Sequence, residues 1–324
     1  IANGKVPKRD PNYDWSKVLP GDTSATLWTE YLKTEELAQN LNPACGYVFN
    51  TNNCIYNNTC RDYANDPDLF PVSIGYDAHK QTNRGNRSKE ILEGLSHIDY
   101  EALKKLKFDM QFPDSMVFLK NYPIMGLFTL NPADYPDLSD IITKFNNWNF
   151  RGDSTNMEAA CVFTMMYEMY NDNSFKVHDI ANNDSIRLAF FLKNLTATKA
   201  RLIEHFGSID IPLGSVQVLS RGGKDIAISG GPDAIRAVYS QKRDDGKLPM
   251  YIGDGLVQLV KFTKDGPEIE SISPYGASNK PGAKHYTTQM HKFVAQKFKK
   301  MSLDKKEVYD NAEEIYHPMA VQPQ

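Results

Sequence analysis

Apolar positions change their period twice along this 324-residue chain. From Pro7 to Pro43 they are sparse and set among Pro, Gly and Asp, with Tyr13 and Trp15 as bulky anchors. That segment is expected to run extended, with one short helix near Glu35-Glu36-Leu37-Ala38. Asn42-Pro43 is a turn signal, because proline biases the residue before it away from helix. Gly46 then releases a run rich in aromatic and β-branched residues, which predicts a strand. Strand side chains alternate between faces. Tyr47, Phe49 and Thr51 are therefore expected on one face, and Val48, Asn50 and Asn52 on the other. A polar loop from Asn53 to Pro67 follows, closed by Asp68-Leu69-Phe70-Pro71. Loops of that length are usually functional or pinned by something.

The middle of the chain takes a helical period. Helices are expected from Ser88 to Gly94, with Ile91 and Leu92 inward, and from Asp99 to Phe108, with Asp99 as N-cap. Leu138, Ile141, Ile142, Phe145 and Trp148 recur at the spacing of one helix face. Met157 to Tyr170 is expected to be a helix whose Met and aromatic content packs a core. Ser185 to Phe206 is the longest helical pattern, expected as two helices broken around Asn194-Leu195-Thr196, with Gly207 as a C-terminal cap.

The last third shifts to a strand period. Ser215-Val216-Gln217-Val218 alternates. Leu256 to Phe262 is apolar on both faces, as in a central strand covered on both sides. Asp265-Gly266 turns the chain into an antiparallel return strand, Glu268 to Ile272. A helix from Thr287 to Phe298 and a charged surface tail from Met301 complete the pattern. The result is an α+β chain in three regions: 1–80 extended with the Asn-rich strand, 81–214 mostly helical, and 215–324 made of strands with a C-terminal helix.

Composition narrows the class. Apolar residues make up 41% of the chain, enough for a substantial core. The net charge is −3, which gives no electrostatic case for nucleic acid or an anionic membrane as partner. No apolar run is long enough to cross a bilayer. The start, Ile1-Ala2-Asn3-Gly4-Lys5-Val6, lacks the order of a signal peptide. Asn3-Gly4 is a hairpin dipeptide with only two residues ahead of it. It is either a frayed tail or, as expected here, the sign of a chain that begins inside a domain of a longer precursor or cleaved subunit.

Cys45, Cys54 and Cys60 crowd around the Asn-rich stretch, without a Cys-x-x-Cys pair or a nearby histidine, so a zinc site is not expected. A disulfide is expected there, either Cys54–Cys60 or Cys45–Cys60, and it implies an exported protein. Cys161, among Ala159, Ala160 and Val162, reads as a buried thiol. The four Asn-x-Ser/Thr matches are of a kind that an Asn-rich chain produces by chance.

Self-contained catalytic machinery is not evident. The chain has no Gly-x-Ser-x-Gly elbow, Walker loop, dinucleotide fingerprint or His-Glu-x-x-His. Gly152-Asp153-Ser154 has a superficial likeness to an esterase motif, but between helices Asp153 or Ser154 reads as a cap. His178-Asp179 and Glu204-His205 read as surface or cap pairs. No nucleophile is evident beside a base. The clustered asparagines allow two readings. They cap a turn, or one amide points at a reacting oxygen as an oxyanion-hole donor.

Read together, the motifs resemble a known family. Gly46-Tyr47-Val48-Phe49-Asn50-Thr51-Asn52-Asn53 is similar to the Gly-Tyr-x-x-Asn-x-Asn-Asn stretch of the penicillin acylases, a family that includes the acyl-homoserine-lactone acylases. Thr82-Asn83-Arg84-Gly85-Asn86-Arg87-Ser88 resembles its Arg-containing helix start. Gly230-Gly231-Pro232-Asp233 resembles its Gly-Gly-Pro-Asp block. Tyr275-Gly276-Ala277-Ser278 and His285-Tyr286-Thr287-Thr288-Gln289 resemble its closing elements. These motifs occur in order and span nearly the whole chain.

The resemblance implies a partial αββα sandwich of the N-terminal nucleophile hydrolases, with a large mostly helical segment. It implies a precursor cut into two chains, whose new N-terminal Ser attacks while its own α-amine serves as base. The motifs here match only the later part of the larger chain. The nucleophile is therefore expected outside this sequence, and the chain alone is expected to be inactive. Asn52 takes the place of the oxyanion-hole asparagine. Arg84 best matches the active-site arginine, with Arg87 as the alternative, and either can instead be a solvated charge at a helix start. Asn50 is expected to support the strand end, and His285, Tyr286 and Gln289 are expected to be structural. Asp68 resembles a calcium ligand of some members, with a turn-capping Asp as its alternative. No cofactor is expected beyond that possible structural calcium. The expected partners are the remainder of the precursor and a small N-acyl amide, such as an acyl-homoserine lactone or a penicillin, in a periplasmic or secreted setting. The rival readings are a catalytically inactive structural or binding fragment, and a general peptidase.

Overall fold

A computed structural model of the chain describes residues 5–70, 82–118 and 122–317. The Asn3-Gly4 turn, the closing Pro71 of the loop and the expected region boundary at 80–81 lie outside them.

The architecture is α+β. Residues 5–70 run extended, punctuated by short 3-10 turns, one of them at Thr34–Glu36 where the short helix was expected. Helices α1 (Asn83–Glu93) and α2 (Tyr100–Lys107) come next. Asp99 caps α2 as expected, accepting from Ala102 N at 2.8 Å. A small hairpin, β1 (Val117–Phe118) and β2 (Tyr122–Pro123), leads into α3 (Ser139–Asn147). Then come α4 (Met157–Asn171), α5 (Val177–Asn182), α6 (Asp184–Phe206) and the single turn α7 (Leu213–Val216).

Helix α4 is apolar around its whole circumference, the mark of a helix at the centre of a core. Residues 159–167 and Met169 are all buried. Its Phe163 meets the rings of Phe112 and Trp148, in an aromatic cluster that also includes Phe128 and Phe145. Cys161 is fully buried, and burial pushes its thiol up to about 12.

Strands follow from residue 217. β3 (Gln217–Arg221), β4 (Lys224–Ala227), β5 (Val238–Ser240) and β6 (Leu248–Gly253) form a sheet in the order β4-β3-β6-β5. A register shift interrupts the pairing of β5 with β6 between Tyr239 and Ser240. β7 (Val257–Thr263), β8 (Gly266–Ile272) and β9 (Lys299–Met301) form a second sheet, with the turn at Asp265-Gly266 where expected. Helices α8 (Met290–Val294) and α9 (Lys305–Asp310) are short. A second core, including Leu219, Val238, Ile272 and Phe293, lies under these strands. Among the described residues no helix is long and apolar enough to cross a membrane.

Several expectations are corrected. Helix α1 starts at Asn83 rather than Ser88, because the Thr82 hydroxyl accepts from Gly85 N at 3.0 Å and caps it early. Helix α6 is continuous through Asn194-Leu195-Thr196. The Asn194 amide donates to Phe190 O at 2.8 Å and to Asp172 at 3.0 Å, and Thr196 donates to Leu192 O at 2.9 Å. Their polar groups are satisfied without breaking the helix. The cap of α4 is Asn156, which accepts from Glu158 N and Ala159 N, not Asp153 or Ser154. Asp153 pairs with Arg151 at 2.8 Å. Ser215 and Val216 close α7, and the strand starts one residue later.

Strand β7 lies at a sheet edge among the described residues, with Leu256 61% and Phe262 84% exposed, and is not covered on both faces. The helix expected from Thr287 to Phe298 shrinks to α8, since Gln296 takes φ +57 and the chain turns into β9.

Candidate active site

The Asn-rich stretch is shaped first by the loop behind it. Of the two disulfide pairings expected, Cys45–Cys60 forms, and Cys54 is buried outside it. The loop folds back so that Phe49 N donates to Asn58 O at 2.8 Å and Thr59 Oγ1 donates to Tyr47 O at 2.8 Å. Side chains alternate as predicted: Tyr47, Phe49 and Thr51 are half-buried, and Val48, Asn50 and Asn52 are exposed. The run is extended but joins no ladder among the described residues, because a strand needs a neighbour on its edge.

Two of its asparagines hold the third. Asn50 Oδ1 accepts from Asn52 N at 2.9 Å. Asn53 Oδ1 accepts from Thr51 N at 2.7 Å, while its amide donates to Asn57 O at 3.0 Å. Between them Asn52 adopts φ +63, the left-handed region that Asn tolerates better than most residues. Its carboxamide makes no hydrogen bond to the described residues.

Helix α1 brings the arginine. Gly85 suits its first turn, since a Cβ there would fall 2.8 Å from the capping Thr82 hydroxyl; the same Cβ would meet the Asn-rich stretch at contact distance, 3.4 Å from Asn53 Cβ and Thr51 Oγ1. Asn83 ties the same turn to β1, its amide donating to Val117 O at 2.6 Å and its carbonyl accepting from Val117 N at 2.8 Å. Asp233 approaches from the Gly-Gly-Pro-Asp loop. Its Oδ2 accepts from Asn83 N at 2.7 Å, and its Oδ1 lies 3.2 Å from Arg84 Nε. That second contact is an ion pair rather than an aligned hydrogen bond, for Arg84 Nε has no partner in hydrogen-bond geometry. Burial pushes the Asp233 carboxyl up; the bond from Asn83 N and the charge of Arg84 oppose this in part. Asp233 also takes a left-handed conformation, φ +58.

Asn52, Arg84 and Asp233 line one cavity of about 890 Å³, together with Phe118, Tyr239 and Tyr251. A groove of about 630 Å³ shares Asn52 and Arg84 with it. The arrangement can hold an amphipathic ligand and offer an amide N–H and a guanidinium to a developing negative charge. Attack is another matter. None of the described residues lining the cavity is His or Cys; of its two aliphatic hydroxyls, that of Thr82 is engaged as a helix cap and that of Ser240 is buried.

Arg87 goes elsewhere: its Nε donates to Asp109 at 3.0 Å and its Nη1 pairs with Glu90 at 3.3 Å. Asp68 sits exposed in a short turn that Asp66 caps, accepting from Asp68 N at 3.0 Å. Among the described residues no three His, Cys, Asp or Glu side chains come together to hold a metal, so the calcium reading draws no support from them. Gln289 is buried, and its backbone N donates to Tyr275 O at 2.8 Å. Arg221 lies between the Tyr275 and Tyr286 rings. A Cβ on Gly276 would fall 2.0 Å from His285 O. These closing elements lock to one another, away from the cavity. Asp233 and Asn83 were quoted in motifs but given no role by sequence reasoning. The only signal was the juxtaposition of a carboxylate and an arginine in two separate motifs.

Known proteins resemble this chain in family and in fold. The family described as penicillin amidase matches residues 1–310. An acyl-homoserine lactone acylase PvdQ from Pseudomonas fluorescens (strain Pf0-1) is 35% identical over 83 residues, 25% of this chain and 11% of that protein. A PvdQ from Pseudomonas putida is 21% identical over 235 residues, 66% of this chain and 29% of that protein. The solved thermostable penicillin G acylase from Alcaligenes faecalis superposes with a TM-score of 0.51 at 14% identity, covering 99% of this chain and 65% of that one. It shows a shared fold. The chain thus spans under a third of these curated relatives and about two thirds of the solved chain.

Proposed function

We propose, from the premise that the chain belongs to the penicillin amidase family, that it forms part of an acylase that hydrolyses the amide bond of N-acyl substrates. The candidate substrates are the classes named for its relatives, acyl-homoserine lactones and penicillins. The observation that carries the reading is the Asn52 carboxamide, held at φ +63 on the wall of the cavity that Arg84 also lines. In the mechanism, a nucleophile attacks the amide carbonyl, and the carbonyl oxygen becomes an oxyanion. Asn52 Nδ2–H donates to it, and Arg84 adds positive charge to the site. Asp233 positions Arg84 and ties it to the start of α1.

The nucleophile and its base come from polypeptide outside this chain, with the remainder of a processed precursor as partner. What supports this is that the described residues lining the cavity include no His or Cys. The Cys45–Cys60 disulfide supports an exported, periplasmic or secreted protein.

The class is tested by assaying the complete protein against acyl-homoserine lactones, penicillins and peptides side by side. Release of acid from the N-acyl amides, with peptides left intact, is expected. Cleavage of peptides would point to a general peptidase. No hydrolysis of any substrate would favour a structural or binding role.

A further inference from the structure

Two arginines stand about one turn apart on α1. Arg84 lines the cavity, and Arg87 turns to Asp109 instead. The Asp109 contact is a fork: Arg87 Nε donates to Oδ1 at 3.0 Å and Nη2 donates to Oδ2 at 3.3 Å. A guanidinium gripped by both carboxylate oxygens is fixed in direction as well as in place. Asp109 also holds a second element, for its backbone carbonyl accepts from Arg236 N at 3.0 Å. Arg236 closes the loop that carries Asp233, since its own carbonyl accepts from Gly231 N at 3.2 Å. The Arg236 guanidinium is buried and donates from Nη2 to Val294 O at 3.2 Å, which anchors that end of the loop to α8. The same two elements, α1 and the loop, meet again at the cavity. There Asp233 reaches Asn83 N at 2.7 Å and Arg84 Nε at 3.2 Å.

We propose that Asp109 is a positioning residue for the site: it holds α1 through Arg87 and the Asp233 loop through Arg236 N, and so aims Arg84 into the cavity. One contact between a helix and a loop leaves the helix free to turn about its axis. Two contacts a turn apart fix that rotation. The aim matters because a displacement of about 1 Å at a catalytic group costs on the order of a hundredfold in rate. The proposal rests on the acylase reading, in which Arg84 faces the developing negative charge, and it adds the residues that aim Arg84. It also gives Arg87 a task that does not involve touching the substrate.

The test uses the complete polypeptide and Arg87→Met, which keeps an unbranched side chain and removes the fork. The Arg87 side chain is 25% exposed, so the variant is expected to fold. The first readout is hydrogen exchange at the Asn83 amide. Asn83 is the first residue of α1, so its N–H has no acceptor within the helix and its exchange reports the bond to Asp233. In Arg87→Met it is expected to exchange on the order of tenfold faster or more. The Gly85 amide, held by Thr82 in the same turn, should keep its rate. Unchanged exchange at Asn83 would overturn the proposal. Equal acceleration at Asn83 and Gly85 would overturn it too, because α1 would then merely fray. Asp109→Asn keeps the backbone carbonyl and the side-chain volume, and should speed exchange at Asn83 in the same way; an unchanged rate there counts against the proposal.

The second readout is a double-variant cycle on hydrolysis of an N-acyl amide. Arg87→Met is expected to lower kcat about tenfold with little change in KM. Asp233→Asn already loosens Arg84, so adding Arg87→Met to it should cost little more. Losses that multiply in the double variant would show that Arg87 acts independently of the Arg84–Asp233 pair, and would contradict the assignment. The exchange readout involves no hydrolysis. Faster exchange at Asn83 in a protein that cleaves no amide would sink the acylase reading and leave the anchor at Asp109 standing.

Discussion

Asn52 and Asp233 are two non-glycine residues held at positive φ on the wall of one cavity. Left-handed conformations cost about 1 kcal/mol or more per residue and persist where the surroundings over-determine them. For Asn52 the determinants are the side chains of Asn50 and Asn53. For Asp233 they are Asn83 N and Arg84. Removing the Asp233 carboxylate leaves a helix-start N–H and a guanidinium without their partner. The pair is about a quarter exposed, so the discounted cost of Asp233→Ala is about 1–2 kcal/mol. Urea unfolding should show that loss, and catalysis in the complete protein should fall further than stability alone explains, because Arg84 is released. Asp233→Asn should retain the acceptor for Asn83 N and recover most of the stability but less of the activity.

At this scale Asn52 and Arg84 stand out in the sequence because each sits in a local motif, and the fold sets both on the wall of one cavity. The Asp233 contact does not, since it joins residues 150 positions apart.

The elements show which local signals survive tertiary context. The α3 and α4 periods were readable because their apolar faces are dictated by one core. The start of α1 was missed because a polar run, Thr82 to Arg87, gave no apolar period, although Thr82 is a good cap. The continuity of α6 depends on Asp172, a residue outside the helix that takes the Asn194 amide. The run Leu256 to Phe262 was read as covered on both faces, yet only Val257 and Leu259 are buried and Phe262 faces solvent.

The loop that shapes the Asn-rich run is tied by Cys45–Cys60, 15 residues apart. Closing a loop of that size stabilises by about 3 kcal/mol in the chain-entropy view. Replacing both cysteines with Ser should lower stability by about that amount. It should also unfasten the Phe49–Asn58 bond, so that the Phe49 amide exchanges as fast as its neighbours. Unchanged protection at Phe49 would show that the loop holds without its disulfide.

Across the whole molecule, several carboxylates are held low, and Asp172 and Asp225 contribute most to the acid limb of stability. Burial works to raise the Asp172 carboxyl, but bonds from Lys193, Ser174 and Asn194 outweigh it and hold it well below the usual range. Arg243, joined by Lys247 and Ser220, does the same for Asp225 against a smaller burial effect. A depressed carboxyl contributes stability that is complete above its unfolded value, about 3.9 for Asp, and is lost as pH falls through the folded value. Thermal unfolding should therefore drop steeply below about pH 4. Asp172→Asn should flatten that limb. Asp233 runs the other way: its raised carboxyl penalises folding above its folded value, and acid relieves that cost. An acid limb unaltered in Asp172→Asn would contradict this assignment.

The central claim concerns one amide. The most direct measurement is kcat and KM for an N-acyl amide in the complete protein, with Asn52 and with Asn52→Ala. Loss of an oxyanion donor predicts a fall in kcat of about 10² to 10³ with little change in KM. Asn52 is exposed, and Ala tolerates its φ of +63 less well than Asn does, so Tm should fall only slightly. Hydrolysis undiminished in Asn52→Ala would contradict the account.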